Sequence, residues 1–254
     1  MADAKQQVHI VLVHGIGHGA WCWYKLQPLL EAAGHRVTVL DLAASGIDRR
    51  NLEDLRTFVE YSQPLLDLMA SFPLEENVLL VGHSLGGMNL AFAMDMYPEK
   101  IKVAVFLTAL MPDTTNKPSY VAEQSLAEIS PEEWLDTEFK SFGPPDENLT
   151  SLLFGPNFIS TKLYPLSPAE ARLSILPDLE NRNPFSKERY GSVNRVFIQN
   201  LKDMVIPIDF QRWQISNFPP DQVKEMDTSD HMVMISDPQG LYQRLLEIIA
   251  YYYA

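Results

Sequence analysis

Cysteine is the residue that this sequence has least of. Cys22 is the only one among 254 residues, so the chain cannot form an internal disulfide. Proteins without disulfides are the rule in the reducing cytosol, and we therefore expect a cytoplasmic location. Cys22 stands between Trp21 and Trp23, a setting that favours a packed thiol over a reactive one.

Positive charge and long hydrophobic runs are scarce as well. The chain has 20 Lys and Arg against 33 Asp and Glu, a net charge of −13, which argues against nucleic acid and against a membrane surface as partners. The first apolar run stops at His14, so it is too short for a signal peptide or a membrane span. With 46% hydrophobic residues, the composition is typical of a globular protein, and it leaves a small-molecule substrate open.

Short apolar runs alternate with helical patterns through the first 110 residues and again near the end of the chain. Such alternation predicts βα units and a mostly parallel sheet flanked by helices. The predicted strands are 8–13, 36–40, 77–81, 102–107, 193–199 and 222–226. The predicted helices are 21–33, 52–69, 85–96, 208–216 and 237–253.

The alternation stops between residues 112 and 187. This segment is rich in Pro, Ser, Asn and acidic residues, and it predicts short helical pieces without a strand. It also has more large apolar residues than a disordered linker would have, namely Trp134, Phe139, Phe142, Phe154, Phe158 and Tyr164. We therefore predict a core formed by residues 1–111 and 188–254, with a small inserted cap at 112–187.

The strongest local motif is V-G-H-S-L-G-G at residues 81–87. It contains the pattern G-x-S-x-G, centred on Ser84, between a predicted strand and a predicted helix. In that context the pattern predicts a nucleophile on a sharp turn, with its hydroxyl lifted clear of the backbone. The N–H of Leu85 would then point to the place where an oxyanion forms. The alternative is a serine that only caps the helix.

A serine nucleophile requires a base and an acid that orients the base, in the chain order Ser, Asp or Glu, His for this kind of fold. Of the six histidines, only His231 follows the later predicted strands. Asp203 lies in a loop at the carboxyl end of the strand 193–199, where open α/β sheets place functional groups. The remaining nearby carboxylates fit solvated or capping roles better; they are Asp209, Asp221, Asp227 and Asp230.

The turn H-G-I-G-H-G-A-W at residues 14–21 allows a different interpretation. Gly15, Gly17 and Ala20 satisfy the dinucleotide fingerprint, and Asp41 stands where a ribose-binding acid belongs, which would make the protein an oxidoreductase. That interpretation leaves the serine, aspartate and histidine unexplained, and it places two tryptophans where a helix must approach the sheet closely. In a hydrolase, the same turn supplies the second oxyanion donor, the N–H of Ile16.

Several segments together resemble the plant methylesterase and hydroxynitrile lyase family of α/β-hydrolases. They are H-G-x-x-H-G-A-W-C-W-Y, L-D-L-A-A-S-G, V-G-H-S-L-G-G-M-N-L, P-E-E-W-L-D-T and D-H-M-V-M. The resemblance covers nearly the whole chain and implies an α/β-hydrolase fold with a cap, no metal, no organic cofactor and often a homodimer. It also implies the triad Ser84, Asp203 and His231 and the oxyanion donors Ile16 and Leu85. The substrate-binding positions that it implies are Gly15, Leu110, Ser125, Trp134, Leu152 and Met232.

The resemblance also allows ester hydrolysis to be distinguished from hydroxynitrile lyase chemistry. Lyase members place a lysine after the catalytic histidine, to hold developing cyanide, and a threonine after the first-strand histidine. Here those positions are Met232 and Gly15, which favours the esterase branch. Leu110 and Ser125 replace expected aromatic residues, and segment 167–185 is shorter than expected, so we expect a wider acyl pocket than in salicylate-type members.

We therefore predict a serine carboxylesterase that acts on a small ester, such as a methyl ester of a plant metabolite or hormone. The predicted substrates include esters whose free acids lose carbon dioxide spontaneously. The alternatives are a hydroxynitrile lyase, a ligand receptor without turnover on the same scaffold and, more remotely, a dinucleotide-dependent oxidoreductase.

Overall fold

The computed structural model describes residues 6–142, 149–166, 174–175 and 179–254. Within them the strands are β1 His9–Val13, β2 Arg36–Leu40, β3 Val78–His83, β4 Ile101–Leu107, β5 Glu138–Phe142, β6 Leu149–Leu153, β7 Ser174–Ile175, β8 Arg195–Asn200 and β9 Gln222–Met226. The α-helices are α1 Gln27–Ala32, α2 Phe58–Ser71, α3 Gly86–Met96, α4 Ser119–Ala127, α5 Pro156–Phe158, α6 Ile208–Asn217, α7 Val233–Ser236 and α8 Pro238–Tyr252. The shorter turns are 3-10 helices at Ala20–Trp23, Leu52–Asp54, Pro98–Lys100, Pro131–Trp134, Leu179–Asn181 and Tyr190–Ser192, and a π-helix at Ile159–Leu163.

Six strands form the central sheet in the order β2-β1-β3-β4-β8-β9, and every pair in it is parallel. The inner strands are mostly apolar and nearly fully buried, because helices cover both sides of the sheet. Two apolar clusters fill the two sides. The edge strand β9 instead alternates exposed and half-buried residues. The predicted α/β-hydrolase fold, with its parallel sheet flanked by helices, is confirmed.

The strand order reverses direction at β1, which pairs with β2 on one side and with β3 on the other. Ligands of open α/β sheets bind at such a switch point, beside the carboxyl ends of the strands. The two turns that follow β1 and β3 meet there. A Cβ added to Gly86 would lie 2.8 Å from the carbonyl oxygen of His14 and 3.0 Å from that of Val13. This contact requires glycine.

Two predicted helices in the first half of the chain are shorter than their patterns indicated. The pattern 21–33 is a 3-10 turn followed by α1, which begins anew because Pro28 fits the first turn of a helix. The pattern 52–69 also divides, since Thr57 and Glu60 form a reciprocal capping box that fixes the start of α2. The predicted stop at Gly34 is confirmed, with φ of 92°.

The prediction that the cap has no strand is wrong. The strands β5, β6 and β7 form a small antiparallel sheet, in which Phe139 lies opposite Leu152. Each of these strands has at most five residues, too few for a clear alternation to stand out from the surrounding polar sequence. Of the shortened segment 167–185, residues 167–173 and 176–178 lie outside the described residues. The boundaries 112 and 187 stay predictions.

The described ranges contain no candidate for a membrane-spanning helix. No helix there combines the length and the apolar composition that a bilayer-spanning segment requires.

Replacing Gly86 by alanine is expected to lower the free energy of unfolding by about 1–3 kcal/mol, because the new methyl group would press on two backbone oxygens. Urea denaturation measures the change. Gly191→Ala is the matched control, since the nearest atom to its Cβ would be the Thr114 methyl group at 3.3 Å, followed by Lys187 Cγ at 3.6 Å and the Ser186 carbonyl oxygen at 3.7 Å. It should differ from the wild type by less than about 1 kcal/mol. Equal stability of the two variants would contradict the close approach of the two turns.

Candidate active site

Ser84 lies on the turn between β3 and α3, as the motif predicted. Its φ of 54° places it in the left-handed region, which a non-glycine residue occupies only when its surroundings enforce it. Three backbone hydrogen bonds do so. The Ser84 N–H donates to the carbonyl of Leu107, and its carbonyl accepts from the N–H groups of Gly87 and Leu110. The next strand, β4, and its following loop therefore hold the turn in place.

Asp203 and His231 come from the loops after β8 and β9 and meet inside the protein. The Nδ1–H of His231 donates to Oδ2 of Asp203 over 2.7 Å, and both side chains are almost fully buried. The other carboxylate oxygen, Oδ1, accepts from the N–H groups of Val205 at 2.7 Å and Ile206 at 2.9 Å. These donors hold the carboxylate in one orientation. With Nδ1 protonated, Nε2 is the ring nitrogen of His231 that can take up a proton.

Two amide side chains, which no motif in the sequence marks, connect the acid loop to the histidine loop. Asn200 donates through Nδ2 to the carbonyl of Asp230 over 2.6 Å. Gln211 accepts from the N–H of Asn200 and donates to the carbonyls of Asn200 and Ile206. Both amides are fully buried, so each bond also satisfies a polar group away from water. The distance from Asp203 to His231 is thus fixed by a rigid frame.

The predicted oxyanion segments lie against each other. A Cβ on Gly15 would be 2.8 Å from Cβ of Ser84 and 3.0 Å from Nδ1 of His83, so this position has no room for a side chain. Ile16 follows Gly15 in the same turn, and Leu85 follows Ser84 at the start of α3. The structure therefore brings Gly15, Ile16 and Leu85 to the serine. The role of the two N–H groups as oxyanion donors stays a prediction.

Three further histidines surround this place and are neutral at physiological pH. Burial lowers the pKa of His14 to about 4 and that of His18 to about 3. Burial, together with the charge of His231, holds the pKa of His83 well below its ordinary value. The Nε2–H of His83 donates to the carbonyl of His231 over 2.8 Å, which fixes the backbone of the histidine loop. The middle residue of G-H-S is thus a structural partner of His231.

The cap contacts both sides of the site. The Nδ1–H of His18 donates to the carbonyl of Ile16 over 2.7 Å, so its Nε2 accepts the hydroxyl proton of Tyr164, which comes from the cap, over 2.5 Å. Two residues later, the N–H of Leu166 donates to Asp230 over 2.9 Å. Sequence reasoning missed Tyr164 as a partner of the turn, because 146 residues separate it from His18.

The predicted pocket residues divide between two groups. Trp134 stacks on Phe158 at 5.7 Å and, with Leu152, packs against the apolar cluster that contains the fully buried Met232. Leu110 lies on the other side, where its N–H bonds the carbonyl of Ser84. Ser125 is half-buried on α4. The substrate-binding role of all six predicted positions stays a prediction.

The dinucleotide interpretation has no support in this geometry. Both carboxylate oxygens of Asp41 accept from backbone N–H groups, Oδ1 from Ala20 in the segment after β1 at 2.7 Å and Oδ2 from Ile47 in its own turn at 3.3 Å. Gly15 faces Ser84 instead of an open phosphate site. The described residues contain no cluster of three or more His, Cys, Asp or Glu side chains that could hold a metal ion.

Comparison with known proteins agrees with this architecture. The family model described as alpha/beta hydrolase fold matches residues 8–153. The chain is 52% identical to methylesterase 3 of Arabidopsis thaliana, over 98% of each chain, and 51% identical to salicylic acid-binding protein 2 of Nicotiana tabacum, over 96% of this chain and 98% of that one. The crystal structure of polyneuridine aldehyde esterase superposes with a TM-score of 0.92 at 44% identity, covering 96% of this chain and 99% of that one.

The chain therefore belongs to the α/β-hydrolase family, in its plant methylesterase branch, and the resemblance found in the sequence is confirmed. Within that family it is an ester hydrolase, as the fold and these relatives define the class.

Replacing Tyr164 by phenylalanine is expected to lower the free energy of unfolding by about 1–3 kcal/mol, because Nε2 of His18 would be left buried without a donor. Chemical denaturation measures this loss. Tyr24→Phe, which removes a hydroxyl from an exposed tyrosine, should change stability by less than about 0.5 kcal/mol. An unchanged Tyr164→Phe protein would show that the bond to His18 contributes nothing.

Proposed function

We propose that this protein hydrolyses a small carboxylic ester with Ser84 as nucleophile, His231 as general base and Asp203 as the residue that orients the base. The observation that carries the proposal is the buried hydrogen bond from His231 Nδ1–H to Asp203 Oδ2. Ser84 lies on a strained strand-to-helix turn, and its chain neighbour His83 donates to the carbonyl of His231. A hydrogen-bonded carboxylate and a histidine in fixed orientation are what serine activation requires.

Acylation begins with attack of the Ser84 hydroxyl oxygen on the ester carbonyl carbon, while Nε2 of His231 takes the hydroxyl proton. Asp203 stabilises the imidazolium that forms. The negative charge that develops on the carbonyl oxygen is bound by the N–H groups of Ile16 and Leu85. The tetrahedral intermediate then collapses, the alcohol leaves with the proton from His231, and the acyl group stays on Ser84.

Deacylation repeats the same steps with water. His231 takes a proton from the attacking water, the second tetrahedral intermediate uses the same two N–H donors, and the acid leaves as Ser84 regains its proton. The neutral histidines around the site do not compete for this role, because burial keeps them from holding a proton near neutral pH.

The ester that we propose is a methyl ester of a plant metabolite or hormone. Relatives at 52% and 50% identity are named methylesterases, and one at 44% is named for an aldehyde ester. Met232 offers no cation for a departing cyanide, and Gly15 leaves no space for the threonine of the lyases, since even a Cβ there would meet Ser84. Both positions therefore favour ester hydrolysis over lyase chemistry.

A receptor without turnover is the second candidate, and one observation favours it. The relative at 51% identity is named for binding salicylic acid, an aromatic carboxylate of the kind that ester hydrolysis would release. Binding and hydrolysis would use the same pocket. Steady turnover distinguishes the two functions, because a receptor would give a single slow burst followed by retention of the product.

We also propose that the protein works in the cytosol and as a homodimer. The single buried cysteine supports a reducing compartment, and the family resemblance supports the dimer.

Ser84→Ala is expected to reduce kcat by roughly 10⁴-fold or more on any methyl ester that the wild type hydrolyses, because no other group can form the acyl-enzyme. The assay follows acid release from a panel of methyl esters of aromatic, alicyclic and β-keto acids. Ser192→Ala, a change at an exposed serine, is the matched control and should keep wild-type rates. Retained hydrolysis by a folded Ser84→Ala protein would refute the mechanism.

A further inference from the structure

Thr108 is the first residue after β4, and its conformation is unusual. Its φ is 36°, in the left-handed region, although threonine is β-branched and avoids this region more strongly than most residues. The residue is fully buried, and its N–H donates to the carbonyl of Ile198 in the neighbouring strand β8, over 2.8 Å. A strained residue at the carboxyl end of a central strand calls for a functional explanation.

The strained backbone conformation of Thr108 places its hydroxyl within hydrogen-bond distance of Asp203. The hydroxyl donates to Oδ2, the same carboxylate oxygen that accepts the Nδ1–H of His231. The opposite oxygen, Oδ1, is already occupied by the N–H groups of Val205 and Ile206. Asp203 therefore has two donors on each oxygen, and three of the four come from groups other than the catalytic histidine.

We propose that Thr108 is a positioning residue for ester hydrolysis, which sets the base strength of His231 by sharing the oxygen of Asp203 to which the imidazole is bonded. The inference rests on the proposed function of the triad. Thr108 does not touch the reacting atoms in this account; it acts through the carboxylate.

The direction of the effect follows from electrostatics. A hydrogen bond to an ionised oxygen stabilises the charge and reduces what that oxygen can offer to another donor. The Thr108 hydroxyl therefore lowers the capacity of Asp203 to stabilise the imidazolium form of His231. Without the hydroxyl, the carboxylate would hold the proton on His231 more strongly, and the enzyme would need a higher pH to become active.

The other groups that face His231 cannot produce the same effect. His83 donates to the backbone carbonyl of His231, and burial keeps both His83 and His18 neutral. The carboxylate of Asp230, one residue away, accepts the N–H groups of Met232 and Leu166. These contacts are left intact by a change at Thr108, so a shift in the pH dependence reports on the shared oxygen.

The test compares Thr108→Val with Thr108→Ser. Valine has the shape of threonine without the hydroxyl, whereas serine keeps the hydroxyl and loses the methyl group. The acid limb of the kcat/KM profile against pH should move to higher pH by roughly 0.5–1 unit in Thr108→Val. In Thr108→Ser it should stay within about 0.2 unit of the wild type, because the bond to Oδ2 is kept.

Thr38→Val is the matched control, since it removes a hydroxyl bonded to another histidine, His9, at 2.8 Å on strand β2. Its acid limb should not move. An acid limb that stays in place in Thr108→Val, or one that moves equally in the serine variant, overturns the proposal and leaves Thr108 a packing residue. If Thr108→Val does not fold, Thr108→Ala removes the same hydroxyl with less strain, and the same two outcomes apply to it.

The downfield proton resonance of His231 Nδ1–H gives a readout that does not depend on turnover. It should move in Thr108→Val and stay near the wild-type position in Thr108→Ser, and an equal spectrum in all three proteins would also overturn the proposal. Failure of the triad itself is separate, because it would show as retained hydrolysis in Ser84→Ala.

Discussion

The hydrogen bond between Asp203 and His231 is the interaction on which the rest of the site depends. A buried carboxylate is costly unless its oxygens are occupied by donors, and here they accept two backbone N–H groups, a hydroxyl and the imidazole. Once the carboxylate is fixed, the tautomer of His231 is fixed as well. In the mechanism that we propose, its second nitrogen is the base that activates Ser84 as the nucleophile.

The parallel sheet brings together the loops that carry these residues. The acid loop follows β8, the histidine loop follows β9, and the serine turn follows β3, so parallel strands deliver all three to one edge. The frame of Asn200 and Gln211 holds the first two loops together. Glycines at 15 and 86 allow the turn after β1 to touch the serine turn. Tyr164 and Leu166 connect the cap to the same edge.

The six strands of the central sheet could be predicted from the sequence, because each rests on a local pattern. The triad was predicted from a motif and from chain order, and its catalytic role stays a prediction. The burial of β1 and β3, the G-H-S-L-G turn and the stop at Gly34 are all local. The partners that hold the site in place are not local in sequence. Thr108 meets Asp203 across 95 residues and Asn200 meets Asp230 across 30, and threonine and asparagine have many common structural roles that give no signal in sequence. The three cap strands were missed because each is short, so strand formation there depends on tertiary pairing more than on local propensity.

Activation of Ser84 by His231 is measured most directly by covalent labelling with a fluorophosphonate, followed by mass spectrometry of the proteolytic peptides. Such reagents phosphonylate a serine only when a neighbouring base has activated it. We expect one label per chain, on the peptide that contains Ser84, and loss of that label when His231 is replaced by alanine. A label on another serine, or equal labelling of the protein without His231, would contradict this activation.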